Sequence, residues 1–303
     1  MSDSSNEVTV VDARFKGLIS ETCVLERLFT GMRWAEGPVY FADGDYFLCS
    51  DIPNDRMMQW IDGLGEREFR VPADHSNGNT RDLAGRLVTC EHGSRSVSRT
   101  EYDGRKTVIV DRYRGKKLNS LNDAVVKSDG TIWFTDPTYG IKSDHEGHKS
   151  DRELDGNYVF RFDPADGTLV IVADDFVQPN GIAFSPDESV LYIADTGATE
   201  SPDGPRHIRS FLVRDGRRLS GGDVFATLTD GLFDGFRLDT AGNVWTSAGA
   251  GVNCYAPTGD LLGRISLPEK VSNLTFGGPY RNRLFITATT SAYSLFVNAR
   301  GVA

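Results

Sequence analysis

Long apolar runs are missing from this 303-residue chain; none approaches the roughly 20 residues that a helix needs to cross a bilayer. The N-terminus, MSDSSNEVTVVDARFKG, has no basic segment followed by an apolar core, so it lacks the form of a secretion signal and a cytoplasmic location is expected. Basic charge is also short: 33 Lys and Arg stand against 43 Asp and Glu, a net charge of −10. Such a balance repels a phosphate backbone or an anionic membrane surface, so neither nucleic acid nor membrane is an expected partner. Cysteine is sparse, and none of Cys23, Cys49, Cys90 and Cys254 belongs to a CxxC pair, which removes zinc knuckles and dithiol redox motifs. Cys49 and Cys90 fall near the ends of strand-like segments and read as packed, inert thiols. With no GxSxG elbow, P-loop or dinucleotide fingerprint, neither an acyl-enzyme nor an organic cofactor is expected. No amphipathic helix of usable length is present either.

What the chain does have is a repeat. QPNGIAFSPDESVLYIADT, from Gln178 to Thr196, reads as a small polar residue, a strand, a turn and a second strand ending in polar residues. The same pattern occurs as EGPVYFADGDYFLCSD from Glu36, NTRDLAGRLVTCEH from Asn79 and NDAVVKSDGTIWFTD from Asn122. It returns as DGFRLDTAGNVWTSA from Asp234 and NLTFGGPYRNRLFIT from Asn273. Six units at intervals of roughly 40 to 60 residues are what propeller blades require. Further strand candidates between them, such as YVFRFD and TLVIVA, bring each unit to about four strands. A lone four-stranded unit cannot bury both faces, so the units must pack on each other in a ring. The expectation is an all-β, six-bladed β-propeller with four-stranded blades, forming one domain over 1–303. Residues 1–20 read as a flexible or extended N-terminal arm. The strand TCVLERLF, Thr22 to Phe29, has no blade of its own and is expected to close the ring beside AYSLFVN near the C-terminus.

In a propeller the residue ahead of each inner strand sits at one mouth of the channel, and antiparallel pairing returns the second strand to the same end. The residues ahead of the inner strands read Glu36, Asn79, Asn122, Asn180, Asp234 and Asn273. Each alone is an ordinary turn residue. Together they make a cage of carboxylates and amide carbonyls, which suits Ca²⁺ best and Mg²⁺ or Mn²⁺ passably. No His or Cys is among them, which disfavours a zinc site of the usual type. Gly181 lets the backbone turn closely beneath Asn180.

The stretches WAEGPVYF, NGNTRDLAGRLVTCEHGSRSV, LNSLNDAVVKSDGTIWFTDPTYG, PNGIAFSPDESVLYIADT and DGLFDGFRLDTAGNVWTSAGAGV occur in that order. Through them the chain resembles the regucalcin (senescence marker protein)/gluconolactonase family from about Arg33 to Asn298, and its bacterial gluconolactonase branch most of all. The resemblance implies one catalytic divalent metal at the channel mouth, held by Glu36, Asn122, Asn180 and Asp234. Calcium is the expected ion, with Mg²⁺, Mn²⁺ or Zn²⁺ also admitted. Ser120 stands where regucalcin carries an arginine, a departure from the sugar contacts of that branch.

The implied activity is hydrolysis of a sugar lactone such as glucono-1,5-lactone, a small-molecule substrate, by a monomer or homodimer. The metal polarises the carbonyl and water attacks it. Asp234 is the first choice for the residue that orients or deprotonates water, with Asp136 as the alternative base. Asn79, His92, Asn122 and Tyr139 are the candidate substrate contacts, with Asn77 beside them. The loop Ile141 to Asn157 has the composition of a lid over the mouth. Asp195 reads as a turn residue, and His145, His148 and His207 as surface residues. Organophosphate or aryl-ester hydrolysis on the same site, and a non-catalytic metal-binding propeller, are the competing readings.

Overall fold

The computed structural model of the chain describes residues 8–302 apart from residue 21, so residues 1–7 of the expected arm lie outside the described residues. Six antiparallel sheets are arranged as the blades of a propeller. Blade one runs Ala35–Phe41, Tyr46–Asp51, Arg56–Ile61 and Gly65–Arg70 from the channel outward. Blade two is Ser76–Arg81, Leu87–Glu91, Ser96–Thr100 and Lys106–Val110, and blade three is Ala124–Val126, Ile132–Asp136, Tyr158–Asp163 and Thr168–Ala173. Blade four is Pro179–Phe184, Val190–Asp195, His207–Arg214 and Arg218–Thr227. The inner three strands of blade six are Val271–Gly277, Arg283–Ala288 and Ser291–Phe296.

Its outermost strand comes from the other end of the chain. Glu26–Thr30 pairs antiparallel with Ser291–Phe296, Arg27 opposite Tyr293 and Phe29 opposite Ala292. This is the expected ring closure, begun four residues later than the sequence suggested. Blade five, Phe236–Leu238, Val244–Ser247, Gly251–Tyr255 and Leu261–Ser266, gains a fifth strand from Val8–Val10. The described part of the arm is therefore extended and docked, and Phe15, in a short 3-10 turn, is fully buried beside Trp245.

Burial follows position in the blade. Inner strands such as Pro179–Phe184 are buried along their whole length, while Gly65–Arg70 at the rim is mostly exposed. An inner strand touches neighbouring blades on both faces and loses the alternation of a half-buried strand. The aromatic core lies between blades. Trp133 packs with Ile182, Phe184 and Phe211 between blades three and four, and Phe47, Trp60 and Phe285 fill the junction of blades one and six. Among the described residues no helix is long and apolar enough to cross a membrane.

The inner strands are stitched to one another at the mouth. The Gly78 N–H donates to the Asn122 carbonyl at 2.7 Å, that of Gly181 to the Asp234 carbonyl at 3.2 Å, and that of Gly235 to the Ser272 carbonyl at 2.7 Å. Glycine is required for this approach: a Cβ would stand 2.4 Å from the Asn122 oxygen at position 78 and 2.2 Å from the Asp234 oxygen at position 181. These stitches define the ring of equivalent positions as Glu36, Asn77, Asn122, Asn180, Asp234 and Ser272. The sequence pattern placed Asn79 and Asn273 in it, two residues and one residue too late. The register shifts just after the ring position in blade one, between Glu36 and Val39, and across it in blades two, four and six, between Ser76/Asn79, Pro179/Ile182 and Val271/Asn273. Each such bulge inserts a residue that re-aims the strand end, and strand alternation gives no sign of it.

Candidate active site

The stitched mouth opens into a cavity of about 440 Å³ lined by Glu36, Asn77, Asn122, Asn180 and Asp234. All four expected ligands thus reach one cavity from blades one, three, four and five. Trp34, Ile52, Leu232 and Val271 give it an apolar wall, and Tyr139, Lys142 and Glu146 bound it on the side of blade three. Glu36 accepts from the Gly37 N–H at 2.6 Å and from Asn273 Nδ2 at 3.1 Å, so Asn273 orients a ring residue from behind. The Asp234 N–H donates to Ser247 Oγ at 2.8 Å, and the Asn180 side chain hydrogen-bonds its carboxylate.

Two acids in this setting repel each other. Burial, with a smaller contribution from the Asp123 carboxylate, pushes Glu36 up to about 7. Burial holds Asp234 well above the ordinary carboxylate range, with Glu36 and then Glu146 adding to it. Neither carboxylate makes an ion pair among the described residues. A divalent cation between them would remove both penalties, and the two amides supply neutral oxygens of the same hard type. On donor chemistry, charge and convergence the four residues fit such an ion. Among the described residues no group of three or more His, Cys, Asp or Glu converges, at the mouth or elsewhere, so the set rests on two acids and two amides.

The other expected residues separate. Tyr139 lines the cavity, its hydroxyl 3.2 Å from Thr199 Oγ1. Asn79 lies behind the wall with its amide fully used. Nδ2 donates to the carbonyls of Gly37 and Asn77 and to Ser50 Oγ, and Oδ1 accepts from Thr89 at 2.9 Å. It ties blade one to blade two and has no free edge for substrate. His92 is 1% exposed and does not itself line the cavity; it meets two residues that do, Asn77 through Nε2 and the Glu146 carbonyl through Nδ1. Asp136 is fully buried away from the cavity, where its Oδ2 accepts the Asn119 N–H at 2.9 Å.

Asp51 and Asp195 stand at the same strand end and do the same work, accepting the N–H of Arg33 and those of Val177 and Gln178. Asp136 is the third copy of that brace, which is why an acid recurs there. Burial pushes it up to about 7, so the folded state holds its proton more tightly than the unfolded chain. Its contribution to stability is fully present below about pH 4 and is lost as pH rises through 7. Asp136→Asn is expected to flatten the melting temperature between pH 4 and 7 and to keep kcat within about tenfold, where loss of a general base costs at least about 100-fold. Melts and initial rates over that range check it.

The loop after blade three's second strand begins as a one-turn helix, Tyr139–Lys142, and then lies over the mouth, with Glu146 facing the cavity. The Ser150 N–H bonds to the Ile141 carbonyl and Arg95 holds Ser150 Oγ, so this segment is docked. Glu146 and Lys142 were not singled out from the sequence because nothing in a polar loop distinguishes the side chain that turns inward. His148 meets His75 edge-on at 5.2 Å, away from the donor set. His145 is exposed and His207 half-buried.

Fold and mouth together define a six-bladed propeller with an oxygen-donor cage at one pole of its channel. The chain belongs to the SMP-30/Gluconolactonase/LRE-like family, whose model matches residues 34–290. It is 31% identical to the gluconolactonase of Zymomonas mobilis over 93% of this chain and 84% of that protein. It is 27% identical to a pentonolactonase of Haloferax volcanii over 85% and 82%. A solved gluconolactonase from Xanthomonas campestris superposes with a TM-score of 0.90 at 36% identity, covering 96% of this chain and 94% of that one.

Proposed function

We propose that this chain hydrolyses a sugar lactone of the glucono-1,5-lactone type, using a divalent cation, calcium first, held by Glu36, Asn122, Asn180 and Asp234. The observation that carries the reading is the meeting of two mutually repelling, unpaired carboxylates and two amides at one cavity wall. The ion, when bound, supplies Lewis-acid polarisation of the lactone carbonyl. Asp234 has its backbone fixed by Ser247 and one carboxylate edge engaged by Asn180, which leaves it aimed to orient the attacking water and take its proton. Water adds to the carbonyl carbon, the ring C–O bond breaks, and the proton passes to the departing alkoxide to give the hydroxy acid. The apolar wall of Trp34, Ile52, Leu232 and Val271 covers the carbon face of the ring and excludes bulk water.

That wall also suits an aryl ester, which is the one observation favouring the second reading. A panel of glucono-1,5-lactone, pentonolactones, phenyl acetate and an organophosphate separates the two. Lactones are expected to exceed the others in kcat/KM by at least about 100-fold, the discrimination available to a site built for a polar substrate. Preference for the aryl ester or the organophosphate would reverse the assignment.

A further inference from the structure

The second-blade member of the ring, Asn77, has no role in the donor set, yet it lines the cavity and is only 2% exposed. Its orientation follows from its neighbour. His92 Nδ1 lies 2.8 Å from the Glu146 carbonyl, which can only accept, so Nδ1 carries the hydrogen. Burial pushes the imidazole down to about 4, so near neutral pH the ring holds one hydrogen only and Nε2 is a bare acceptor. Asn77, 3.1 Å from Nε2, must therefore present its NH₂ to His92. Its Oδ1 is left buried with no partner among the described residues.

A buried amide oxygen without a donor costs about 1–3 kcal/mol, and of the buried polar atoms without a partner among the described residues, only Asn77 Oδ1 belongs to a residue that lines this cavity. The Asn77 backbone carbonyl accepts from Ser50 Oγ at 2.7 Å and from Asn79 Nδ2 at 3.0 Å, which fixes the backbone, and the His92 contact holds the side-chain amide. The oxygen is held in place and waiting.

We propose that Asn77 Oδ1 accepts a hydrogen bond from a ring hydroxyl of the lactone, making Asn77 a specificity-determining residue and His92 the positioning residue that fixes its amide. This rests on the lactonase reading above. It favours a hydroxyl over the cation as the occupant because Glu36 and Asp234 already balance a dication's charge, while a sugar lactone brings donors that the acidic cavity must accept. His92 reaches the docked loop as well, so amide orientation and the placement of Glu146 over the mouth depend on one imidazole.

The test compares glucono-1,5-lactone with δ-valerolactone, the same ring without hydroxyls, in the metal-loaded full chain. In Asn77→Ala the ratio of their kcat/KM values is expected to fall about 10- to 100-fold through KM, as for a lost hydrogen bond to a buried partner. Because both substrates are measured in one variant, partial misfolding lowers both and leaves the ratio standing. His92→Phe should lower the same ratio, and His92→Gln, which retains an acceptor and a donor, should restore it to within about threefold. A ratio unchanged within about twofold in Asn77→Ala overturns the assignment. So does a calcium affinity, measured by calorimetry, that falls as far in Asn77→Ala as in Asn122→Ala, since Asn77 would then be a ligand. A wild-type chain inactive on glucono-1,5-lactone overturns the lactonase reading itself, and that outcome is visible before any variant is made.

Discussion

Replacing Asp234 by asparagine is expected to lower lactone turnover by about 1,000-fold or more while the propeller stays folded. A positioned base contributes about 10²–10⁴ in rate, and loss of a ligand carboxylate weakens the ion as well. Asparagine keeps the shape, the backbone N–H that donates to Ser247 and a side-chain oxygen for Asn180, but it cannot take a proton. The variant also deletes one of two buried acids that repel each other. The metal-free variant should therefore melt no lower than the metal-free parent, so a fall in rate cannot be ascribed to unfolding. Steady-state rates with bound metal measured in the same sample decide the matter. A metal-replete Asp234→Asn protein with near-parental turnover would remove Asp234 from its role.

The second large effect concerns Glu36. Glu36→Gln is expected to weaken divalent-cation binding by about 10- to 100-fold or more and to take activity with it at limiting metal. Its raised value gives this a pH signature. In the metal-free fold Glu36 holds its proton up to about 7, and the ion requires the carboxylate. Affinity therefore falls as pH drops through 7, with protons released on binding, and the raised Asp234 carboxyl adds to the same loss. Calorimetric titrations at pH 6.5 in two buffers of different ionisation enthalpy should give different apparent enthalpies, and the difference should shrink towards pH 8.5. Equal affinity at pH 5.5 and pH 8 would contradict the account. Stabilisation follows the same linkage, about 2.7 kcal/mol when free metal stands at 100 times its Kd.

Much of this was readable in the chain itself, and the places where it was not have physical causes. Glu36, Asn180 and Asp234 are each followed by a glycine, which permits the inter-blade approach, and Asn122 stands at the same point of its repeat, so blade order and the meeting of these four residues at one cavity were legible. The unpaired segment before Arg33 announced the ring closure because a strand with no hairpin partner must pair elsewhere. Asn77 was named as a substrate contact, but its place in the ring was given to Asn79 because the bulge there shifts register without disturbing composition. The dipeptide Asn77-Gly78, matching Glu36-Gly37, Asn180-Gly181 and Asp234-Gly235, was the available signal. Asp136 was ambiguous for a different reason: an acid at a strand end can face the channel or turn back to brace its own loop. Asp51 and Asp195, which do the latter, show which. Docking of Val8–Val10 on blade five depends on an edge strand built 250 residues away, and no local pattern encodes it.

The most direct test is lactone hydrolysis followed by pH-stat on chelator-stripped protein, before and after restoring Ca²⁺, Mg²⁺, Mn²⁺ or Zn²⁺. Activity on glucono-1,5-lactone that disappears on stripping and returns with one of these ions, calcium first, is the predicted result. Undiminished hydrolysis by fully stripped protein, or tight metal binding with no lactone opened, would contradict it.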